Sequence, residues 1–134
     1  MGADFNQAVK AISEAEAYPG PSLVIAYAPC INHGIRKGMG KAMTEEELAV
    51  KSGYWHLFLY NPAKIGTAEP AFSLDSKTPD DSIYQEFLDG EVRYNSLKRS
   101  NPEKAARLQA KNKDEAAKRY TYLNKLIKLY GPEE

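Results

Sequence analysis

The stretch SLVIAYA, Ser22 to Ala28, constrains the fold more than any other part of the chain. Leu23, Val24, Ile25 and Ala26 are consecutive apolar residues, so the segment does not alternate between core-facing and solvent-facing positions. Such a strand is stable only when both faces are covered, as in a parallel sheet flanked by helices. Pro29 ends the ladder because it has no N–H to donate. Cys30, the one cysteine of the chain, follows at once. The thiol is therefore expected just past the C-terminal end of a strand, where open α/β sheets gather their ligands.

The flanking sequence supports that class. Asp4 with Gln7 fits a capping box, and Phe5, Val9 and Ile12 recur at helical spacing, so a helix is predicted from about Phe5 to Ala17. Tyr18-Pro19-Gly20-Pro21 ends it. Thr44 with Glu47 predicts a second capped helix that runs to about Lys51 and closes at Gly53, with Glu45, Glu46 and Glu47 at the positive end of its dipole. Tyr54–Pro62 reads as a second strand. The order α-β-α-β with short connections makes α/β the expected class.

The second half reads differently. Residues 61–78 suggest a loop with a short strand at Ala71–Leu74, and helices are expected over Ser82–Glu91 and Val92–Lys98. Asn101-Pro102-Glu103 is a strong helix start: a cap, a proline at the first helical position and an early acid. Ala116, Tyr120, Leu123, Ile127 and Tyr130 then form one apolar stripe before Gly131-Pro132. Residues 1–98 are expected to form one unit, with 99–134 as a helical tail packed on it.

Bulk properties exclude several functions. The 134 residues suit a single domain with one core. Lys+Arg and Asp+Glu are equal at 18 each, which gives no support to a nucleic-acid or anionic-membrane role. One cysteine forms no internal disulfide, and no apolar run approaches the ~20 residues of a membrane span. The lone cysteine suits a reducing compartment, so a cytoplasmic location is expected; the opening MGADFNQ shows no basic-then-apolar signal.

Three groups could carry chemistry. Cys30 and His33 form a C-x-x-H pair, readable as half of a zinc or iron site, as an activated thiolate, or as a structural thiol beside a loop histidine. The run GIRKGMGK, Gly34 to Lys41, is cationic and glycine-rich. It is not a P-loop, because five residues separate Gly34 from Gly40 and Ala42 follows Lys41. It reads as an anion-accepting or simply solvated loop. His56, in line with Tyr54, Phe58 and Tyr60, is expected to be a packed, hydrogen-bonded histidine. Asp75, Asp80, Asp81 and Asp89 read as caps and turn residues.

Several blocks together carry a resemblance. MGADFNQAVKAISEAEAYPGPSLVIAYAPCINHGI, then KGMGKAM, GYWHLFLYNP, FSLDSKTPD and FLDGEVRYNSLKRSNPE, resemble the C-terminal part of pyruvate:ferredoxin (flavodoxin) oxidoreductases. The resemblance implies part of a thiamine-diphosphate-binding parallel sheet with flanking helices, then a mostly helical tail. It implies oxidative decarboxylation of pyruvate to acetyl-CoA on thiamine diphosphate and Mg²⁺, with electrons passed singly through [4Fe–4S] clusters to ferredoxin or flavodoxin. It further implies that Cys30 is one ligand of the cluster nearest thiamine, the other three coming from an upstream cysteine-rich region.

The chain lacks the family's G-D-G…N motif for the metal and diphosphate, and it lacks the companion cysteines. Alone it is expected to be inactive, to hold no stable cluster and to self-associate through open sheet edges. Two alternatives stand beside this reading: a stand-alone α/β partner-binding module without catalysis, and a small cysteine-based redox or transfer enzyme.

Overall fold

The computed structural model describes residues 3–132. Helix α1 spans Phe5–Ala17, and the Asp4 carboxylate accepts from the Gln7 amide at 3.0 Å, as the sequence predicts. The Gln7 side chain does not complete the box; it donates to Asp75, which also pairs with Lys10 at 3.0 Å.

The expected strand at Ser22–Ala28 is corrected. The segment has no strand assignment and is exposed, with Leu23 83%, Val24 50% and Ile25 67% accessible. The parallel sheet is corrected with it. The sheet that forms is two-stranded and antiparallel, β1 Phe58–Tyr60 against β2 Phe72–Leu74, with Leu59 opposite Ser73. These strands are close in sequence, so little loop entropy opposes their pairing. A parallel ladder needs a neighbouring strand across a longer connection, and the described residues place none beside Ser22–Ala28.

Helix α2, Ala42–Lys51, starts before the expected Thr44 cap. A 3₁₀ turn at Met39–Lys41 leads straight into it, and the Ala42 amide already donates to Met39, so Thr44 falls inside the helix. Gly53 ends the region at φ +78, as expected of a glycine stop.

Helices α3, Tyr84–Gly90, and α4, Val92–Ser100, meet at a corner on Glu91. Helix α5, Pro102–Leu129, is capped by Asn101 Oδ1 on the Lys104 amide at 3.0 Å. It is tied to the rest by Tyr84 Oη to the Asn112 carbonyl at 3.3 Å and by the Ala71 amide to the Tyr130 carbonyl at 3.0 Å. Of the anticipated stripe, Ala116 and Leu123 are buried, whereas Ile127 is exposed.

The core is aromatic. Phe87 and Leu88 are fully buried beside Tyr84, Ala49 and Ala116. Tyr54 packs on Phe87 with ring centroids 4.4 Å apart, and its hydroxyl meets that of Tyr94 at 2.9 Å. Burial raises the Tyr84 hydroxyl to about 12 and pushes that of Tyr54 higher still. Of the four Asp residues read as caps and turn residues, Asp80 caps Ser82 at 3.0 Å; Asp75, Asp81 and Asp89 instead pair with Lys10, Lys113 and Lys98, and Asp89 lies within α3.

Candidate functional site: the Cys30–His33 turn

The turn is built by anchoring its two ends. On the near side, Tyr27 enters the aromatic cluster, 5.6 Å from Trp55 and 5.9 Å from Tyr54. Its hydroxyl donates to Glu91 Oε1 at 3.2 Å. Burial, then the nearby Glu91 carboxylate, raises the Tyr27 hydroxyl far above its ordinary value, so it stays a donor. Pro29 is buried next to it.

On the far side, Ile35 is buried and bridges Glu91, and the Arg36 amide donates to the Gly90 carbonyl at 2.9 Å. Both ends of the turn therefore rest on the α3–α4 corner. Gly34 makes the reversal at φ +73, its amide closing on the Cys30 carbonyl at 2.8 Å.

Between these anchors Cys30 is exposed, and its Sγ lies 3.1 Å from His33 Nδ1. That contact, with the amides of His33 and Asn32, pulls the thiol down to about 7 from an ordinary 9.0. A substantial share of the sulfur is thiolate at neutral pH, the form that ligates metals and attacks electrophiles. The thiol is exposed, but no strand among the described residues holds it as expected; the Tyr27 anchor and the α3–α4 corner do.

The structure separates the other candidates from this turn. Lys37 pairs with Glu86 at 3.5 Å, and Arg36 and Lys41 are exposed. His56 is buried as predicted, but neither ring nitrogen has a hydrogen-bond partner among the described residues. It lies 5.7 Å from Tyr120, and burial, then Arg119, holds it below its ordinary value.

Sequence reasoning missed the support beneath the turn. Tyr27 looked like one more residue of an apolar run, and Glu91 like a helix end. Glu45 and Glu46 read only as acids at the positive end of a helix dipole, and both are buried. Glu45 lies against Gly90, where a Cβ would collide with its carboxylate. Its Oε1 has no partner among the described residues, and burial, then Glu91, raises it above the usual carboxylate range.

The donor set fits one ligand of a larger metal group. It offers a reachable thiolate with amides around the sulfur. Among the described residues no group of three or more His, Cys, Asp and Glu could hold a metal ion. No helix among them is long and apolar enough to cross a membrane.

These features define an α/β segment that presents a single soft ligand outward and does not complete a metal cage with its own described residues. No protein-family model matches the chain. Its sequence is similar to a region of larger pyruvate oxidoreductases. Pyruvate-flavodoxin oxidoreductase of Enterobacter agglomerans is 52% identical over 126 residues, 94% of this chain and 11% of that protein. Pyruvate:ferredoxin oxidoreductase of Moorella thermoacetica is 50% identical over 94% of this chain and 10% of that protein. The mitochondrial pyruvate dehydrogenase [NADP(+)] of Euglena gracilis is 40% identical over 94% of this chain and 7% of that protein. The chain thus spans about a tenth or less of the length of these relatives.

Proposed function

We propose that the chain acts as the C-terminal segment of an oxidoreductase that oxidatively decarboxylates pyruvate to acetyl-CoA, using thiamine diphosphate and iron–sulfur clusters. Its own contribution is the Cys30 thiolate, one ligand of the [4Fe–4S] cluster nearest thiamine. When bound, that cluster takes up and passes on single electrons. Cys30 Sγ supplies the bond to iron, the Asn32 and His33 amides donate toward the sulfur, and His33 supports it without ligating. Thiamine diphosphate and Mg²⁺ belong to the rest of the enzyme, and ferredoxin or flavodoxin receives the electrons.

The observation that carries this reading is a reachable, acidic thiol within a segment half-identical to pyruvate oxidoreductases. The relatives named above differ in electron acceptor but share pyruvate, which fits a segment serving the common half of the reaction.

The test is a chimera in which this chain replaces the matched residues of a pyruvate-flavodoxin oxidoreductase. Cys30→Ala is expected to lower the iron content by one cluster and abolish its paramagnetic signal, with thiamine diphosphate still bound. Full iron content in that variant would overturn the ligand assignment. The depressed thiol also favours a second reading, a cysteine nucleophile with His33 as its base. A free chain whose Cys30 thiolate takes the acyl group from an added thioester, releasing that donor's thiol, would support it.

A further inference from the structure

The overall charge balance hides a division. Residues 1–91 hold 13 Asp or Glu against 7 Lys or Arg, whereas residues 92–132 hold 3 against 11. The excess is densest where α4 leads into α5. Arg93, Arg99, Lys104, Arg107 and Lys111 are all exposed, and none makes an ion pair among the described residues. Lys104, Arg107 and Lys111 are three and four residues apart, so they form one ridge on α5, away from the buried Ala105, Gln109 and Ala116. On the same helix a groove is lined by Pro102, Ala106 and Ala110, small enough for a main chain to approach, and by Lys98 and Lys113. Those two lysines pair with Asp89 and Asp81, but exposed pairs of this kind are weak enough to be exchanged for an incoming carboxylate.

Of the exposed large apolar residues described, Leu108 alone falls between residues 93 and 113. A charged, hydrated face suits reversible, electrostatically steered contact, whereas permanent interfaces are more apolar. No exposed aromatic residue falls there for a base to stack on, which favours a protein over a nucleic acid.

We propose that the α4–α5 face docks an acidic segment of a separate protein. The carboxylates of that segment pair with Arg99, Lys104, Arg107 and Lys111, and its main chain lies along the groove. The surface stands independently of the role of Cys30.

The test is fluorescence anisotropy of a labelled oligoglutamate peptide titrated with the full chain. Binding that weakens as salt rises is expected. Lys104→Glu/Arg107→Glu/Lys111→Glu should lower the affinity at least about 10-fold with unchanged helicity, and the triple Gln variant should lower it less. Arg36→Glu/Lys41→Glu/Lys77→Glu makes the same charge change elsewhere on the surface and should leave most of the affinity. A larger loss in that variant, or no loss on reversing the ridge, would overturn the proposal. Tighter binding of an oligothymidylate of equal charge would assign the face to nucleic acid and overturn it. Salt-sensitive self-association that the ridge reversal abolishes would assign it to the acidic half of a second copy, with the same consequence. Oligoglutamate binding through the ridge that persists in the chimera supports a separate partner; its loss there would give the face to the enzyme's own polypeptide and overturn the proposal.

Discussion

The Tyr27 hydroxyl donates to Glu91 at 3.2 Å, and the same Glu91 bridges Ile35 through its main chain, so one residue fixes both ends of the cysteine turn. Tyr27→Phe removes that bond and leaves a half-buried carboxylate without its donor. A loss of about 1 kcal/mol in denaturant stability is expected. Exchange of amides 30–36 should quicken more than that of the α3 amides. Equal quickening in both places would mean the bond is not a local clamp.

The thiol of Cys30 is expected to react with iodoacetamide with a pH midpoint near 7. Thiolate is the reactive form, so the rate falls as pH drops through that value and levels off above it. His33→Ala should move the midpoint up toward the ordinary 9.0, because the largest cause of the depression is the His33 contact. A wild-type midpoint above 8.5 would show that the contact does not persist in solution.

Two buried groups bend the stability-pH profile in opposite directions. Burial depresses His56, so the unfolded chain binds its proton first and stability falls as pH drops below the ordinary 6.5 toward the lower folded value. His56→Phe should flatten that limb of a Tm-pH curve. Glu45 is raised, so its favourable state is the protonated one, and stability declines as pH climbs from 4.5 through the raised folded value. Glu45→Gln should therefore raise Tm at pH 8 and change it little at pH 4. A Glu45→Gln shift that is the same at both pH values would contradict the burial argument.

Gly53 sits at φ +78, and a Cβ there would lie 2.7 Å from Pro79 Cβ and 2.9 Å from Pro79 Cγ. Gly53→Ala combines left-handed strain with a clash against a rigid ring. A loss of about 2–4 kcal/mol is expected by chemical denaturation. Gly38→Ala serves as the control: φ is +88 but nothing lies within 4 Å, so about 1–2 kcal/mol is the ceiling.

Local signals survived folding almost unchanged. The Asp4 cap, the Asn101-Pro102-Glu103 start and the Gly53 stop can be read directly because each works through hydrogen bonds or dihedrals within a few residues. The Ala71–Leu74 and Tyr54–Pro62 runs were legible as strands, though shorter than the runs themselves. The exposure of Cys30 was not legible in the same way, because the sequence placed it past a strand that the described residues do not form.

What depends on distant partners was not. The SLVIAYA run records that both of its faces prefer cover, and the sequence alone established that preference; whether the cover is present depends on what stands beside it. Likewise Tyr27, Glu91, Glu45 and Gly90 meet from four separate places in the chain, and no spacing rule links them. The sequence by itself determined the helices, their stops and the single thiol, because those follow from short-range chemistry. Only the tertiary structure decided that the thiol rests on the α3–α4 corner beside His33, and that the apolar Ser22–Ala28 run lies bare and forms no strand, because burial and long-range contact are properties of the assembled surface.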